Sequence, residues 1–248
     1  MSYNKKPAMV LFDVGGTLFK GGNFSAVNGF EGVRQAAENP DVASAQALAE
    51  LWDEYLKGAG RPKLEDGSLG EIPLSAAIGY ATMKAGLRFN ISVYEREELF
   101  DRYNSSRTVI DGVTELLATL KEQGIRTAVI SNNMMSGESL AIAMKHWIPS
   151  SEFEFCLTSA DILYCKPSQR LFDCACAYAQ LSPEACWYCG DGPVPDVDGA
   201  HGAGLSPVLL DSASPVDKEL RSREQGGKYL AVNHWSALSQ HIIEICNN

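Results

Sequence analysis

The sequence predicts an α/β fold in which a doubly wound, Rossmann-like parallel sheet core carries an inserted α-helical domain. Two observations predict it: short apolar segments alternate with helical patterns, and one long interval contains helical patterns only. At about 150 residues per domain, a chain of 248 residues has room for a core and an insert. We expect the core domain over residues 1–22 and 108–248 and the helical domain over residues 23–107.

Four segments have the near-continuous apolar character of strands that are covered on both faces. They are residues 9–13, 127–131, 186–189 and 207–210, and residues 153–158 are a less uniform fifth candidate. Between the first two strands, apolar side chains share one face of a predicted helix over residues 112–123, which Gly124 stops. Repeated strand–helix–strand units imply a parallel sheet with a ligand crevice at the carboxyl ends of its strands.

Residues 23–107 interrupt this alternation with several predicted helices, for example over residues 41–57 and 94–103. Leu48 and Trp52 recur at helical spacing, so we expect them in the core of a separate helical lobe. Residues 58–70 are rich in charges and turn-forming residues, which predicts a mobile loop inside that lobe.

Composition and charge narrow the classes of function. Hydrophobic residues make up 45% and charged residues 21%, as in soluble globular proteins. The formal net charge of −10 gives no broad basic surface for nucleic acid, so we expect no nucleic-acid partner. No apolar run approaches the roughly 18 residues of a membrane span, and no export signal precedes the first strand. We therefore expect a cytoplasmic protein without membrane contact, a monomer or homodimer, whose seven cysteines stay reduced.

The first predicted strand ends in a carboxylate beside two glycines. Asp13 is followed by Gly15, Gly16 and Thr17 in a turn whose backbone is accessible. A carboxylate can attack phosphorus to form an acyl phosphate, and glycine amides can approach the transferred oxygens closely. Asp13 is therefore a candidate nucleophile, although an aspartate before glycines is also typical of an ordinary turn.

Two further elements could bind an anion. Ser131 and Asn132 end the second strand, where a hydroxyl and backbone amides could hold a phosphoryl oxygen, or where they could simply cap a helix. Lys166 precedes Pro167, which we expect in the first turn of a helix over residues 169–178. A lysine at the positive end of a helix would clamp an anion.

The fourth element is the acidic segment GDGPVPD, which follows the strand at residues 186–189. It contains Asp191 and Asp196, at a spacing that lets one loop offer oxygen ligands to a hard cation such as Mg²⁺. Such carboxylates can also cap turns. All four elements, however, are expected at the same edge of one sheet, which makes a coincidence of four ordinary turns improbable.

In their order and residue types, these elements resemble the motifs of the haloacid dehalogenase-like hydrolase superfamily. The superfamily has an Asp-containing loop, a Ser or Thr, a Lys and an acidic GD…D loop. The resemblance covers residues 10–210 and is specific for the superfamily but not for a substrate, because this fold serves phosphatases, phosphonatases, mutases and dehalogenases.

The resemblance implies a role for each matching residue. Asp13 would be the nucleophile and a ligand of Mg²⁺, and Lys166 would take part in catalysis. The other implied magnesium ligands are the carbonyl of Gly15 and the carboxylates of Asp191 and Asp196. The residues implied in holding the phosphorylated small-molecule substrate are Gly16, Thr17, Ser131, Asn132 and Lys166. Asp198 would cap the next helix, and the helical domain would be a mobile cap that excludes water and selects the substrate.

One position departs from the superfamily pattern. Two residues after the nucleophile, phosphatases and mutases usually carry a second Asp that protonates the leaving oxygen, and here that residue is Gly15. General acid–base help is worth about 10²–10⁴ in rate. Three interpretations stay open: a magnesium-dependent phosphatase that works without this acid, a dehalogenase or phosphonatase, and a phospholigand-binding protein with little or no turnover.

Basic and sulfur-containing side chains outside the motifs give weaker signals. Arg61 and Lys63 are candidate anion contacts in the loop of residues 58–70. Cys165 lies next to Lys166 in the sequence, and a neighbouring cation can lower the pKa of a thiol. The CWYC segment has the spacing of half a zinc site, but it lies on a predicted buried strand, which favours packing.

Overall fold

The computed structural model of the chain describes residues 3–104, 106–223 and 227–247. Its strands are β1 (Met9–Phe12), β2 (Phe19–Lys20), β3 (Thr108–Val109), β4 (Arg126–Ser131), β5 (Cys156–Thr158), β6 (Cys186–Gly190), β7 (Ser206–Leu210), β8 (Lys218–Ser222) and β9 (Lys228–Val232). Its α-helices are α1 (Ala26–Gln35), α2 (Ala45–Ala59), α3 (Leu74–Lys84), α4 (Val93–Asn104), α5 (Val113–Glu122), α6 (Gly137–Trp147), α7 (Ser159–Ile162), α8 (Gln169–Ala179), α9 (Gly199–Gly202) and α10 (Trp235–Cys246). No helix within these ranges is long and apolar enough to cross a membrane.

The central sheet has seven strands in the order β5-β4-β1-β6-β7-β9-β8. Neighbouring strands are parallel except β8 and β9, which are antiparallel. Strand β1 lies in the middle, where Met9 pairs with Arg126 of β4 on one side and with Cys186 of β6 on the other. The predicted α/β fold with a mostly parallel sheet is confirmed.

Both faces of the sheet are covered by helices, as the apolar strand pattern predicts. Alternate residues of β1 point to opposite faces. Val10 and Phe12 belong to a cluster with side chains of α5 and α10, whereas Met9 and Leu11 belong to a cluster with side chains of α8. Side chains that are fully buried on either face anchor the sheet domain, and they include Trp187, Trp235 and Phe172.

Most of the predicted strands occur close to their expected bounds. Of the fifth candidate, only Cys156–Thr158 is a strand. The chain also forms β8, β9 and α10, which were not predicted. Strand β8 has the sequence KELRS at the edge of the sheet, and its charged side chains are typical of an exposed edge rather than of an apolar strand.

Helices α1 to α4 lie between the two short strands β2 and β3, inside the predicted helical insert. Their aromatic and aliphatic side chains form a core that Met135 and Ala143 of the sheet domain also join. Its buried members include Phe30, Leu48, Trp52, Ile78 and Phe100. The helix expected over residues 41–57 begins later than predicted, at Ala45, because the Ser44 side chain accepts from the amide of Ala47 and caps α2. The division of the chain at residues 22/23 and 107/108 stays a prediction.

A segment after the charged loop, residues 69–74, ties this helical region to the sheet domain, and we call it the strap. The Leu69 carbonyl accepts from the amide of Cys165 (3.1 Å), and the Glu71 amide donates to the Leu163 carbonyl (3.2 Å). The Leu74 amide donates to the Met134 carbonyl (2.6 Å). The end of the loop expected inside the lobe is therefore bonded to the sheet domain.

Candidate active site

Three neighbouring strands bring the predicted motifs to one edge of the sheet. Strands β4, β1 and β6 are adjacent and parallel, and their carboxyl ends are followed by Asn132, Asp13 and Asp191. The Asp13 amide still donates to the Cys189 carbonyl at 2.9 Å, so the position of its Cα follows from the sheet itself. A side chain at this position is held by rigid structure rather than by a free loop.

Lys166 reaches the carboxylates from the segment before α8. Its Nζ lies 2.7 Å from Asp13 Oδ1 and 2.7 Å from Asp196 Oδ1. The lysine side chain is 2% exposed, and those of Asp13 and Asp196 are 12% and 3% exposed. Burial alone would lower the pKa of Lys166, but the two carboxylates raise it above its ordinary value. Lys166 is therefore a buried ammonium group that faces two carboxylates.

Asp13, Asp191 and Asp196 form an acidic cluster. One carboxylate oxygen of each lies within 4.8 Å of the others. Burial raises the pKa of Asp13, the Lys166 ammonium opposes that shift, and Asp196 adds to it. Burial and repulsion from Asp13 and Asp196 raise the pKa of Asp191. The cluster thus has three carboxylates, of which two contact Lys166, and its hard oxygen donors fit a divalent cation such as Mg²⁺.

Tyr188 belongs to the same charged centre, although it was not predicted from the sequence. Its hydroxyl accepts from Lys166 Nζ at 2.6 Å and lies 3.0 Å from the Ile130 carbonyl and 3.2 Å from Asp196 Oδ1. The residue is fully buried in β6, and burial raises its pKa well above the ordinary value. In the sequence, a tyrosine inside an apolar strand has the pattern of a core residue. Its contact with Lys166 therefore could not be predicted from that pattern.

Asn132 holds the Lys166 segment in place. Its Oδ1 accepts from the Lys166 amide at 2.6 Å, and its Nδ2 donates to the Lys166 carbonyl at 3.1 Å. The side chain that we expected on the substrate is therefore bonded to the backbone of Lys166. Pro167 also differs from expectation: it lies before α8, whose N-cap is Ser168, rather than in the first turn of that helix.

The two glycines after Asp13 have different surroundings. Gly16 has φ +71°, and a Cβ atom there would lie 2.0 Å from Asp191 Oδ2. Glycine at residue 16 therefore lets the acidic loop approach the backbone. A Cβ atom at Gly15 would meet no atom within 4 Å. The side chain of Thr17, expected near the phosphoryl group, is fully buried, and its hydroxyl has no hydrogen-bond partner among the described residues.

A cleft of about 340 Å³ opens beside this centre. Gly15, Gly16, Ser131 and Asn132 line its inner part. Asn132 also lines two adjoining clefts with Arg61, one of which includes Lys166. A larger cleft of about 620 Å³ lies near Arg126, at the amino end of β4, and none of the motif residues lines it. The candidate site is thus at the carboxyl edge of the sheet, where α/β proteins bind ligands.

A family model for the haloacid dehalogenase-like hydrolases matches residues 8–204. The chain belongs to this family. It is 26% identical over 127 residues to haloacid dehalogenase-like hydrolase domain-containing protein 3 of Mus musculus, an alignment that covers 50% of this chain and 49% of that protein. The chain thus matches about half the length of the curated relative.

Solved structures share the fold over almost the whole chain. A 2-haloacid dehalogenase from Pseudomonas syringae pv. Tomato has a TM-score of 0.56 at 19% identity, covering 96% of this chain and 99% of that one. A phosphatase of the haloacid dehalogenase-like family from Thermococcus onnurineus has a TM-score of 0.52 at 16% identity, covering 94% and 96%. At these identities the likeness concerns the fold, which both reactions use.

Within this family, Gly15 leaves the cleft without an acid at the usual place. The described residues that line the cleft include no Asp, Glu or His. A phosphatase reaction in this cleft would therefore need another proton source or a leaving group that needs none.

Three residues around the site have partners that were not predicted. Burial, with Glu71 next in importance, raises the pKa of the Cys165 thiol. Arg61, a candidate anion contact, bonds to Glu71 (3.1 Å) and lies 2.8 Å from Cys165 Sγ. Asp198 is the N-cap residue of α9, as expected, but its carboxylate caps no amide of that helix and instead accepts two hydrogen bonds from Arg223 at 2.8 Å. In each case the deciding partner is distant in sequence.

Proposed function

We propose that this protein is a magnesium-dependent phosphohydrolase that acts on a small phosphorylated metabolite through an aspartyl-phosphate on Asp13. The observation that carries the proposal is the buried contact of Asp13 with Lys166 inside a cluster of three carboxylates. A carboxylate fixed by a lysine beside a cation-binding cluster suits attack on an anionic phosphoryl group. Membership of a hydrolase family agrees with such a reaction.

In the proposed reaction, a carboxylate oxygen of Asp13 forms a bond to phosphorus while the bond from phosphorus to the leaving oxygen breaks. Water then attacks the phosphorus of the aspartyl-phosphate, which releases inorganic phosphate and restores Asp13. Lys166 and Ser131 would hold the phosphoryl oxygens. Asp13, Asp191, Asp196 and the Gly15 carbonyl would hold Mg²⁺, which neutralises charge on the transferred group when it is bound.

The absence of a carboxylate at Gly15 restricts the leaving group. An alkoxide needs a proton as it departs, whereas an acyl or aryl phosphate releases a stable anion. We therefore expect acyl and aryl phosphates to react faster than alkyl phosphates. A proton from water would complete the slower reaction.

The test measures magnesium-dependent release of phosphate from acetyl phosphate and para-nitrophenyl phosphate, with Asp13→Asn as the matched control. We expect turnover that requires both Mg²⁺ and Asp13. Turnover equal in the wild-type protein and Asp13→Asn would refute the proposal. If neither turns over, calorimetry with inorganic phosphate and Mg²⁺ identifies a phospholigand-binding protein, and halide release from 2-haloacids identifies a dehalogenase.

Replacing Gly15 with Asp tests whether the proton donor is the missing part. A Cβ atom at Gly15 meets no atom within 4 Å, and its φ lies outside the left-handed region, so the backbone tolerates a side chain there. We expect Gly15→Asp to speed hydrolysis of an alkyl phosphate by roughly 10²–10⁴-fold, the range of general acid–base catalysis. Gly15→Asn, of the same shape but without the acid, should give no gain. Equal rates in both variants would show that proton donation is not limiting.

A further inference from the structure

The two segments that connect the sheet domain to helices α1–α4 cross beside the candidate active site. Strands β2 and β3 pair antiparallel, with Lys20 opposite Thr108. The backbones then stay close, since a Cβ atom at Gly22 would lie 1.7 Å from the Ser106 carbonyl oxygen. This crossing brings the side chains of Lys20 and Arg107, 87 positions apart in the sequence, to the wall of one cleft.

This cleft is the one that Gly15, Ser131 and Asn132 line next to Asp13. Its described lining residues include two cationic side chains, Lys20 and Arg107, and no carboxylate. The chain as a whole carries a formal charge of −10, so this cationic wall departs from the average surface. Cationic side chains that line a cleft concentrate anionic ligands in it.

Arg107 is held in place by a buried partner. Its Nη1 donates to Asp101 Oδ2 at 2.7 Å, and its Nη2 contacts the other carboxylate oxygen. Asp101 is buried, and the side chain of Arg107 is 18% exposed. A guanidinium group has five N–H donors in a rigid fork, so Asp101 fixes the group and leaves donors for a second acceptor.

We propose that Arg107 and Lys20 form an anion subsite that binds a carboxylate of the substrate while its phosphoryl group lies at Asp13. The charges favour a carboxylate over a second phosphate, because Asp101 balances one of the two cations and one net positive charge is left for a monoanion. A cleft of about 340 Å³ suits a small metabolite. The inference rests on the proposed function and narrows its substrate class to small phosphorylated carboxylic acids.

The experiment compares two phosphonates of nearly equal shape in the presence of Mg²⁺. Phosphonoacetate carries the carboxylate, and phosphonoacetamide carries a neutral amide in its place. Isothermal titration calorimetry of the wild-type protein should show at least tenfold tighter binding of phosphonoacetate. Equal affinity for the two compounds would overturn the proposal.

Two variants test whether the subsite causes the preference. Arg107→Gln combined with Asp101→Asn removes the ion pair without leaving Asp101 charged and buried, and Lys20→Gln changes an exposed residue. We expect the double variant to reduce the preference to about twofold and Lys20→Gln to reduce it by a smaller factor. Lys57→Gln, an exposed lysine on α2, is the matched control and should keep the full preference. A preference that survives in the double variant would come from chelation of Mg²⁺ and would refute the subsite.

The binding measurement needs no turnover, so it separates the two proposals. A carboxylate preference that depends on Arg107, without turnover of acetyl phosphate, would support the subsite and refute the phosphohydrolase. Turnover that depends on Asp13, without a carboxylate preference, would support the phosphohydrolase and refute the subsite.

Discussion

Among the buried carboxylates of this protein, the cluster at Lys166 and the single carboxylate of Glu97 differ in their partners. Asp13 and Asp196 lie against one lysine and against each other, with Asp191 close by. Glu97 of helix α4 is 1% exposed, and the four hydrogen-bond partners described for it are neutral groups. The three carboxylates of the cluster carry more negative charge than the one Lys166 ammonium balances. At Glu97, by contrast, backbone amides and serine hydroxyls donate hydrogen bonds to a single carboxylate.

Glu97 joins the helical region to the sheet domain. Its carboxylate accepts from the amides of Ser75 (2.8 Å) and Ser136 (3.1 Å) and lies 2.6 and 2.7 Å from the hydroxyls of Ser136 and Ser139. Ser136 is the N-cap of α6, so the negative charge also lies at the positive end of a helix. The partners therefore indicate different roles for the two sites. Crowded carboxylates suit cation binding and catalysis, whereas a carboxylate whose hydrogen bonds are all satisfied by neutral donors suits a structural role.

Removing the shared lysine should have the largest effect. In Lys166→Met, two buried carboxylates lose their cation, and breaking a buried ion pair of this kind costs about 3–5 kcal/mol. We expect the free energy of unfolding, measured with urea in EDTA, to fall by that amount at pH 7. Phosphohydrolase activity should also be lost.

A second variant separates charge from packing at this centre. Adding Asp196→Asn to Lys166→Met removes one of the unpaired charges, so it should recover part of the lost stability. A double variant no more stable than Lys166→Met would show that packing, rather than unpaired charge, dominates the loss.

Neutralising Glu97 should have a smaller effect. Glu97→Gln keeps the shape of the side chain but turns an NH₂ group toward donors, and charged hydrogen bonds of this kind contribute about 1.5–3 kcal/mol. We expect a loss of about 2 kcal/mol in the free energy of unfolding. Glu122→Gln, at an exposed position of α5, is the control and should change stability by less than about 0.5 kcal/mol. Equal effects of the two variants would contradict a structural role for Glu97.

The sequence allowed the active-site edge to be predicted better than the attachment of the helical region. Asp13, Ser131 and Asp191 each directly end or follow an apolar strand, so their meeting at one edge follows from parallel pairing. The contacts of Glu97 depend on where α4 meets α6, more than 35 residues later, and no local pattern encodes that contact. Strand β8 was missed for a related reason, since its pairing with β9 rather than its own apolar pattern makes it a strand.

Gly15 and Gly16, the adjacent glycines of the loop after Asp13, differ in their surroundings. Gly16→Ala would require a positive φ, which costs about 1–2 kcal/mol, and would push its Cβ against the Asp191 carboxylate. For Gly16→Ala we expect a lower free energy of unfolding and at least tenfold slower release of phosphate. Gly15→Ala, one residue earlier, should change stability by less than about 0.5 kcal/mol, because its Cβ meets open space. Urea unfolding and phosphate-release assays of both variants check this, and equal losses would contradict the assigned role of Gly16.

The smallest expected effect concerns Asp66, an exposed carboxylate in the loop before the strap. Hydrogen bonds from Ser68 and then from Ser168 (2.7 Å) lower its pKa to about 2. Because the folded-state pKa is lowered, the contact with Ser168 stabilises the fold above the ordinary pKa of Asp and is lost between about pH 4 and pH 2. Carboxyl ¹³C NMR should therefore show Asp66 still mostly ionised at pH 3. Ser168→Ala should raise its pKa toward the ordinary value, and a wild-type value near 4 would show that the loop is not held against the Lys166 segment in solution.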